Sequence, residues 1–217
     1  MILIECKQGT PLWLESRCAA ITASRVSDAI SVLTRKSGDK NPGDPTAASD
    51  KYAYDLAFER ISGVPYGEPV KAWTLERGHE LEKLARLEYE ARTGNLASES
   101  GVMLTDDRLF GYSTDGMVGD DGLIEIKCPV DSVKIMEMLT THDVSEYMHQ
   151  MQLGMWISGR KWCDFIQYVP ALEHCGKDLF YKRVMRDDDF IDDMVAKLLQ
   201  FEKRVTAYEQ LLRKQAA

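Results

Sequence analysis

Along the chain, stretches with apolar residues at helical spacing give way to short runs of period two. Residues 12–34 read as helical with an interruption: Leu12, Trp13 and Leu14 begin the stretch and Ser16-Arg17 follow. Ile21-Thr22-Ala23-Ser24 then lead into Val26, Ala29, Ile30 and Leu33, with Ser24 or Thr22 as the cap of a second helix. Residues 36–50, rich in Gly, Pro, Asp and Ser, predict a mobile loop, after which Asp50 caps a helix through Tyr54, Phe58 and Ile61 that ends near Gly63 and Pro65. A long helix follows from about Lys71 to Thr93 and stops at Gly94, with Leu81, Leu84, Leu87 and Tyr89 as its apolar positions. The period then changes. Val102–Leu104, Leu109–Tyr112, Met117–Val118 and Leu123–Cys128 read as strands punctuated by glycine and aspartate, and Pro129 ends the last of them. Residues 131–158 return to helix, 162–169 form an aromatic-rich strand, 170–178 a loop and 179–185 an edge strand. From Asp187 to Ala217 runs an amphipathic helix with Phe190, Ile191, Met194, Val195, Leu198, Val205 and Leu212 near one face. Asp187–Asp189 suit its positive end. The sum is α+β: a small mixed central sheet flanked by helices.

The length of 217 residues fits a single domain, residues 1–217, with enough chain to bury a core. No internal repeat stands out. No apolar stretch approaches the ~18 residues of a membrane span, and residues 1–10 lack a signal-peptide pattern, so the expected place is the cytoplasm. Five scattered cysteines without a CxxC pair argue against zinc or a disulfide framework and for a reducing compartment.

A net charge of −8 is unusual for a nucleic-acid partner, since phosphate binding leaves a basic footprint. The distribution changes that picture. Residues 1–40 carry six basic against four acidic side chains, a net of +2 that leaves −10 for the remainder. The first forty residues are therefore the candidate cationic face, and carboxylates gathered around metal ions would lower the total without forbidding DNA.

The chemistry concentrates in residues 113–129, STDGMVGDDGLIEIKCP. Strand alternation puts Leu123, Glu125 and Lys127 on one face and Ile124, Ile126 and Cys128 on the other. Charged side chains in such a strand are costly unless paired or coordinated. A hairpin would bring Asp115 beside Glu125, and a divalent cation between two carboxylates relieves their repulsion. Oxygen ligands suit magnesium, and Lys127 is placed to orient or deprotonate a water for attack on phosphorus. The same spacing also fits a solvated cross-strand pair, so context decides. Glu82, with Gly78 and Ala85 as small neighbours on its helix, leaves room for an ion, although an i,i+4 surface pair with Arg86 fits as well. Gln150 sits among apolar residues of a helix and needs a partner, either the site or the backbone. His149 is expected to pack or face solvent. Arg17 ahead of Ile21-Thr22-Ala23-Ser24 has the makings of an anion pocket, or of a surface arginine beside a capping serine.

Together these segments resemble one family, the phage lambda exonuclease or YqaJ-type viral recombinase branch of the PD-(D/E)xK nucleases. The matching pieces are Gln8-Gly9 with Trp13, Arg17 with Ile21 to Ser24, Gly78 with Glu82, Ser113 to Gly116, Glu125 to Pro129, and Gln150 to Gln152 with Met155-Trp156. They span about residues 8–168. The resemblance implies a restriction-endonuclease-like core and a 5′→3′ exonuclease on double-stranded DNA ends that releases mononucleotides and leaves 3′ overhangs for recombination by strand annealing. It implies two Mg²⁺ per site, with Mn²⁺ as substitute. One is held by Asp115, Glu125 and the Ile126 carbonyl, the other by Asp115 and Glu82, with Lys127 and Gln150 attending the attacking water. It makes Arg17 and Ser24 the 5′-phosphate pocket, Arg35 a backbone contact, and Leu75 or neighbouring Trp73 the wedge that parts the terminal base pair. It implies a ring-shaped homotrimer and a single-strand-annealing partner protein, in a phage or prophage setting within a bacterial host. The family's proline before the aspartate is Thr114 here. Two other readings share the core: a structure-specific endonuclease or resolvase, which needs no end-phosphate pocket, and a catalytically inactive DNA-binding module.

Overall fold

The strand with Glu125 and Lys127 lies at the centre of a sheet. In the computed structural model, β7 (Gly122–Lys127) is the middle member of a five-stranded mixed sheet of order β3-β6-β7-β8-β9, formed with β3 (Ala97–Ser98), β6 (Gly116–Val118), β8 (Trp162–Tyr168) and β9 (Leu179–Met185). The structure describes residues 1–66 and 72–214, and of residues 72–76 and 79 the backbone alone. β6 and β7 are antiparallel, with Gly116 opposite Ile124 and Val118 opposite Gly122. β7 and β8 are parallel over Gly122–Lys127, which requires a crossover. The crossover is α5 (Ser132–Thr141), a 3-10 turn at Ser145–Tyr147 and α6 (Met148–Ser158).

A second sheet of order β1-β4-β5-β2 comprises β1 (Ile2–Ile4), β2 (Ile21–Thr22), β4 (Val102–Leu104) and β5 (Phe110–Ser113). The α+β class stands, but the expected single sheet is two. Ile21-Thr22, expected to lead into a helix, instead pairs in parallel with Phe110-Gly111. Such two- and three-residue strands exist through long-range bonds and leave little local pattern.

The helices divide between the two faces of the five-stranded sheet. α4 (Ala72–Thr93) covers one, where Ala85 and Tyr89 pack on Val118, Ile124, Ile126, Ile166 and Tyr168. α3 (Ala47–Ser62), α6 and α7 (Asp188–Arg213) share the main core on the other side, with Leu123 and Phe165 of the sheet. β7 is thus apolar-packed on both faces, and its charged residues survive at the end of one of them.

Several local expectations are corrected. α1 (Pro11–Arg17) is capped by Thr10, whose hydroxyl accepts from the Trp13 N–H. The next helical piece is a 3-10 turn over Ala23–Arg25 running into α2 (Val26–Ala29), so Ser24 lies inside the turn, Thr22 precedes it without a side-chain cap, and Leu33 is outside. Thr46, not Asp50, caps α3, and Asp50 sits in its first turn, paired with Lys40. The loop before it is tied by Leu33–Asp44 and Ser37–Lys40 backbone bonds. On α4, Leu84 and Leu87 face outward, and Ala85 takes the sheet side. The helix expected over 131–158 breaks at His142, left-handed at φ 53°, before Ser145. On α7, capped by Asp187, Leu212 is exposed and Phe201 is buried.

Candidate active site

Where β6 and β7 stop pairing at Gly116 and Ile124, the strands separate, and the cleft opens in that fork. Asp115 stands at its apex. Its Oδ2 accepts from the Ile126 N–H at 2.6 Å, a donor that the β6 ladder leaves free. Thr114 holds the turn. Its buried hydroxyl lies 2.9 Å from the Gly116 carbonyl and 3.0 Å from that of Ile124, and accepts from the Gly116 N–H at 3.3 Å. A side-chain bond thus fixes the bend at Thr114. Gln8 crosses from the N-terminal segment and donates to the Thr114 carbonyl at 3.0 Å and to Asp115 Oδ1 at 3.4 Å.

Glu125 is 2% exposed. Its Oε1 accepts from Lys127 Nζ at 2.7 Å and from the Gln150 amide at 2.6 Å, and its Oε2 lies 3.4 Å from the Tyr112 hydroxyl. Gln150 Oε1 faces Lys127 Nζ at 3.4 Å. The glutamine that finds its partners in backbone groups is Gln152, bound to the Met185 carbonyl and the Asp187 N–H. Glu82 lines the same cleft as Asp115 and Glu125. Gly78 borders it, since a Cβ there would stand 3.6 Å from Glu82 Oε1. Ala85 does not open the cleft, because it is buried under the sheet. Arg86 pairs with Glu99 at 3.3 Å rather than with Glu82.

The electrostatics follow from burial. It pushes Glu125 up to about 7, against Lys127 and with Asp115 adding repulsion. Glu82 also rises to about 7, through burial and the charges of Asp115 and Glu125, and Asp115 is raised by burial against the pull of Lys127. Burial alone would lower the Lys127 ammonium, but Glu125 and Asp115 outweigh it and hold the group above its ordinary value. In this environment Lys127 keeps its charge and donates to Glu125.

Arg17 lines the same cleft, which has a volume of about 170 Å³. Its guanidinium lies 4.0 Å over the Trp13 ring, and Nη2 is 3.4 Å from Ser24 Oγ. Burial lowers its pKa from the ordinary value, with Tyr52 and Glu59 pulling the other way. The Trp13 indole N–H donates to Ser113 Oγ at 2.9 Å, which ties α1 to the strand that leads into Asp115.

The structure thus brings Asp115, Glu125, Ile126, Lys127, Glu82, Gln150, Arg17 and Ser24 around one cleft. Arg35 is exposed on the loop before α3 and does not line it. The side chains of Leu75 and Trp73 lie outside the described residues. His149 packs on Phe190, ring centres 5.2 Å apart, as expected. All five cysteines are free. Sequence reasoning assigned no role to Tyr112, which touches Glu125. The available signal was Gly154, one turn beyond Gln150, where a Cβ would come 2.5 Å from the Tyr112 ring.

The anionic groups on the cleft, Glu82, Asp115 and Glu125, offer oxygens, the ligand type that a hard cation takes. Among the described residues no three His, Cys, Asp or Glu side chains stand together as a ready metal-holding group, although Glu82, Asp115 and Glu125 line one cleft. Among the described residues no helix is long and apolar enough to cross a membrane.

Residues 12–161 match the model of the YqaJ-like viral recombinase domain. No curated protein matches the chain. Among solved structures, the chain is similar to an alkaline exonuclease (LHK-Exo) from Laribacter hongkongensis, with 32% identity over 94% of this chain and 96% of that one and a TM-score of 0.78. LHK-Exo in complex with dAMP matches with the same identity and coverage at a TM-score of 0.80. A phage related exonuclease from Haemophilus somnus 129PT shares the fold, with 18% identity, 89% and 95% coverage and a TM-score of 0.66.

Proposed function

Because the chain belongs to the family of YqaJ-like viral recombinase domains and is homologous to exonucleases over most of its length, we propose that it is a Mg²⁺-dependent 5′→3′ exonuclease acting on double-stranded DNA ends. It releases mononucleotides and leaves 3′ overhangs for strand annealing. The observation that carries this reading is the convergence of Asp115, Glu125, Glu82, Lys127 and Gln150 with Arg17 on one cleft.

Asp115, Glu125 and the Ile126 carbonyl would hold one divalent cation, and Asp115 with Glu82 would hold a second. Mn²⁺ substitutes for Mg²⁺. Bound there, the metal supplies Lewis-acid polarisation of the scissile phosphate and a more acidic water. The raised pKa values of Glu82 and Glu125 support the assignment, since buried carboxylates this close need counter-charge from either protons or a cation. Lys127 and Gln150, joined to Glu125 and to each other, present an N–H donor and an amide oxygen to the attacking water and orient it. Water adds to phosphorus, the bond to the 3′ oxygen of the terminal nucleotide breaks, and that oxygen takes up a proton. Arg17, fixed on Trp13 with Ser24 beside it, holds the 5′-terminal phosphate and so counts one nucleotide from the end. The product is a deoxynucleoside monophosphate, the class of molecule that LHK-Exo holds in its dAMP complex.

On this reading residues 1–217 form a single nuclease domain. Three copies close a ring around the substrate, which retains DNA topologically and so tolerates the net charge of −8. A single-strand-annealing protein of the same phage or prophage, in the host cytoplasm, receives the overhang. Arg35 contacts the duplex backbone, and Leu75 or Trp73 parts the end.

The test is digestion of end-labelled linear duplex with Mg²⁺ beside a closed circle of the same sequence. Release of 5′-labelled mononucleotide from the linear form alone is expected, and chelation should stop it. Cleavage of the circle, or release from the 3′ label first, would refute the reading.

A further inference from the structure

The turn that follows Arg17 is held by groups that lie outside the cleft. Ala19 has φ 66°, in the left-handed region, which a residue with a Cβ keeps only when its surroundings over-determine it. Both backbone polar groups of Ala19 are bound from α3. Its N–H donates to Glu59 Oε2 at 2.7 Å, and its carbonyl accepts from Arg60 Nε and Nη2, each at 3.4 Å. Arg60 is fixed in turn by a two-pronged pair with Glu202 of α7, at 2.6 and 2.7 Å, with both side chains largely buried. A third hold from α3 is the Tyr52 hydroxyl, which accepts from the Thr22 N–H at 3.0 Å. On its far side the turn is anchored by the Ile21 N–H on the Leu109 carbonyl.

The arrangement has a chemical consequence for Arg17. The second oxygen of Glu59 accepts from the Tyr66 N–H at 2.9 Å, so both of its oxygens are occupied by backbone donors. A carboxylate stands behind the turn, yet among the described residues none forms an ion pair with Arg17, whose fork is met only by Ser24 at 3.4 Å and the Trp13 face. The guanidinium is aimed but not neutralised.

We infer that Glu59, Arg60 and Glu202 are positioning residues that set Arg17 for the 5′-terminal phosphate, and that through them α3 and α7 determine the enzyme's preference for phosphorylated ends. The inference rests on the reading of Arg17 as the end-phosphate pocket. α7 lies beyond the residues matched by the family model, and this gives it a part in substrate selection.

The experiment measures kcat and KM with Mg²⁺ on linear duplexes carrying 5′-phosphate or 5′-hydroxyl ends, for the full chain and its variants. Glu59→Ala removes the bond to the Ala19 N–H. The double variant Arg60→Met, Glu202→Met removes the other hold without leaving a lone buried charge, and so carries the test if Glu59→Ala does not fold. Each is expected to raise KM for phosphorylated ends about tenfold, a fraction of the ~100-fold that an ångström-scale misplacement costs. kcat at saturation and the rate on hydroxyl ends should stay as in the wild type. Glu59→Gln, which can keep its one acceptor for Ala19 and give up the bond to the exposed Tyr66 N–H, should retain the wild-type KM. If Arg17→Ala loses the end preference while folded Glu59→Ala and the double variant keep it, the tether is refuted and the pocket stands. If Arg17→Ala itself keeps the preference, the pocket and the tether fall together.

Discussion

Glu125→Gln should make the metal-free protein more stable at pH 8, although it disables the site. Glu125 is 2% exposed, and burial is the main reason its carboxyl rises from an ordinary 4.5 to about 7. A value higher in the folded chain than in the unfolded one means that the folded chain holds the proton more tightly. The associated stability is therefore complete below pH 4.5 and is lost as pH rises through 7. At ~1.36 kcal/mol per pH unit, the interval amounts to about 3 kcal/mol. Glutamine copies the protonated acid and does not titrate. Glu82, also near 7, does not add a second equal share, because the charge of Glu125 is one cause of its rise. Urea unfolding in chelator at several pH values between 4.5 and 8 gives the comparison. The wild type should lose about 3 kcal/mol relative to the variant across that range. Saturating Mg²⁺ should restore the wild type and not the variant, since a cation replaces the proton as counter-charge. Parallel stability curves for the two proteins in chelator would refute the reasoning.

Asp115→Ala and Lys127→Ala should each abolish nucleotide release from linear duplex while circular dichroism stays that of the wild type; full activity in either would remove that residue from the mechanism. Thr114→Val deletes a buried hydroxyl that bonds across the fork and should cost about 1–3 kcal/mol in urea unfolding. Gly154→Ala places a methyl 2.5 Å from the Tyr112 ring, with an expected loss of about 1–3 kcal/mol and a reduced kcat, because Tyr112 touches Glu125. Unchanged stability there would mean that the ring has room to move.

Much of this site was legible because its chemistry sits in local patterns. Alternation alone put Glu125 and Lys127 on one face of β7, and the glycine after Asp115 marked the turn. Gln150 announced itself as an amide in an apolar helix. What the sequence hid depends on distant pairing. β2 is two residues long and exists only because Phe110-Gly111 lies beside it. The second sheet therefore escaped a reading based on periodicity. On α4, leucines at 84 and 87 drew the apolar face to the wrong side, because the surface that decides it is the sheet, and there the smaller Ala85 fits. Asp50 and Thr46 are both good caps, and only the path of the preceding loop chooses between them. The support behind Arg17 was beyond sequence reasoning, since Glu59 and Glu202 lie 42 and 185 positions from it.

The fork in the sheet also bears on which ion the cleft accepts. Asp115 presents Oδ2 to the Ile126 amide, and Glu125 presents Oε1 to Lys127 and Gln150, so each carboxylate keeps a single lightly held oxygen, with Gln8 or Tyr112 at 3.4 Å. Chelation by both oxygens of one group, which calcium's larger shell of six to eight ligands favours, would have to break those bonds. A small six-coordinate ion asks for one oxygen per carboxylate and fills the rest with solvent. On the proposed metal assignment, denticity, set by the Ile126 amide on Asp115 and by Lys127 and Gln150 on Glu125, would discriminate among the alkaline-earth ions before any substrate arrives.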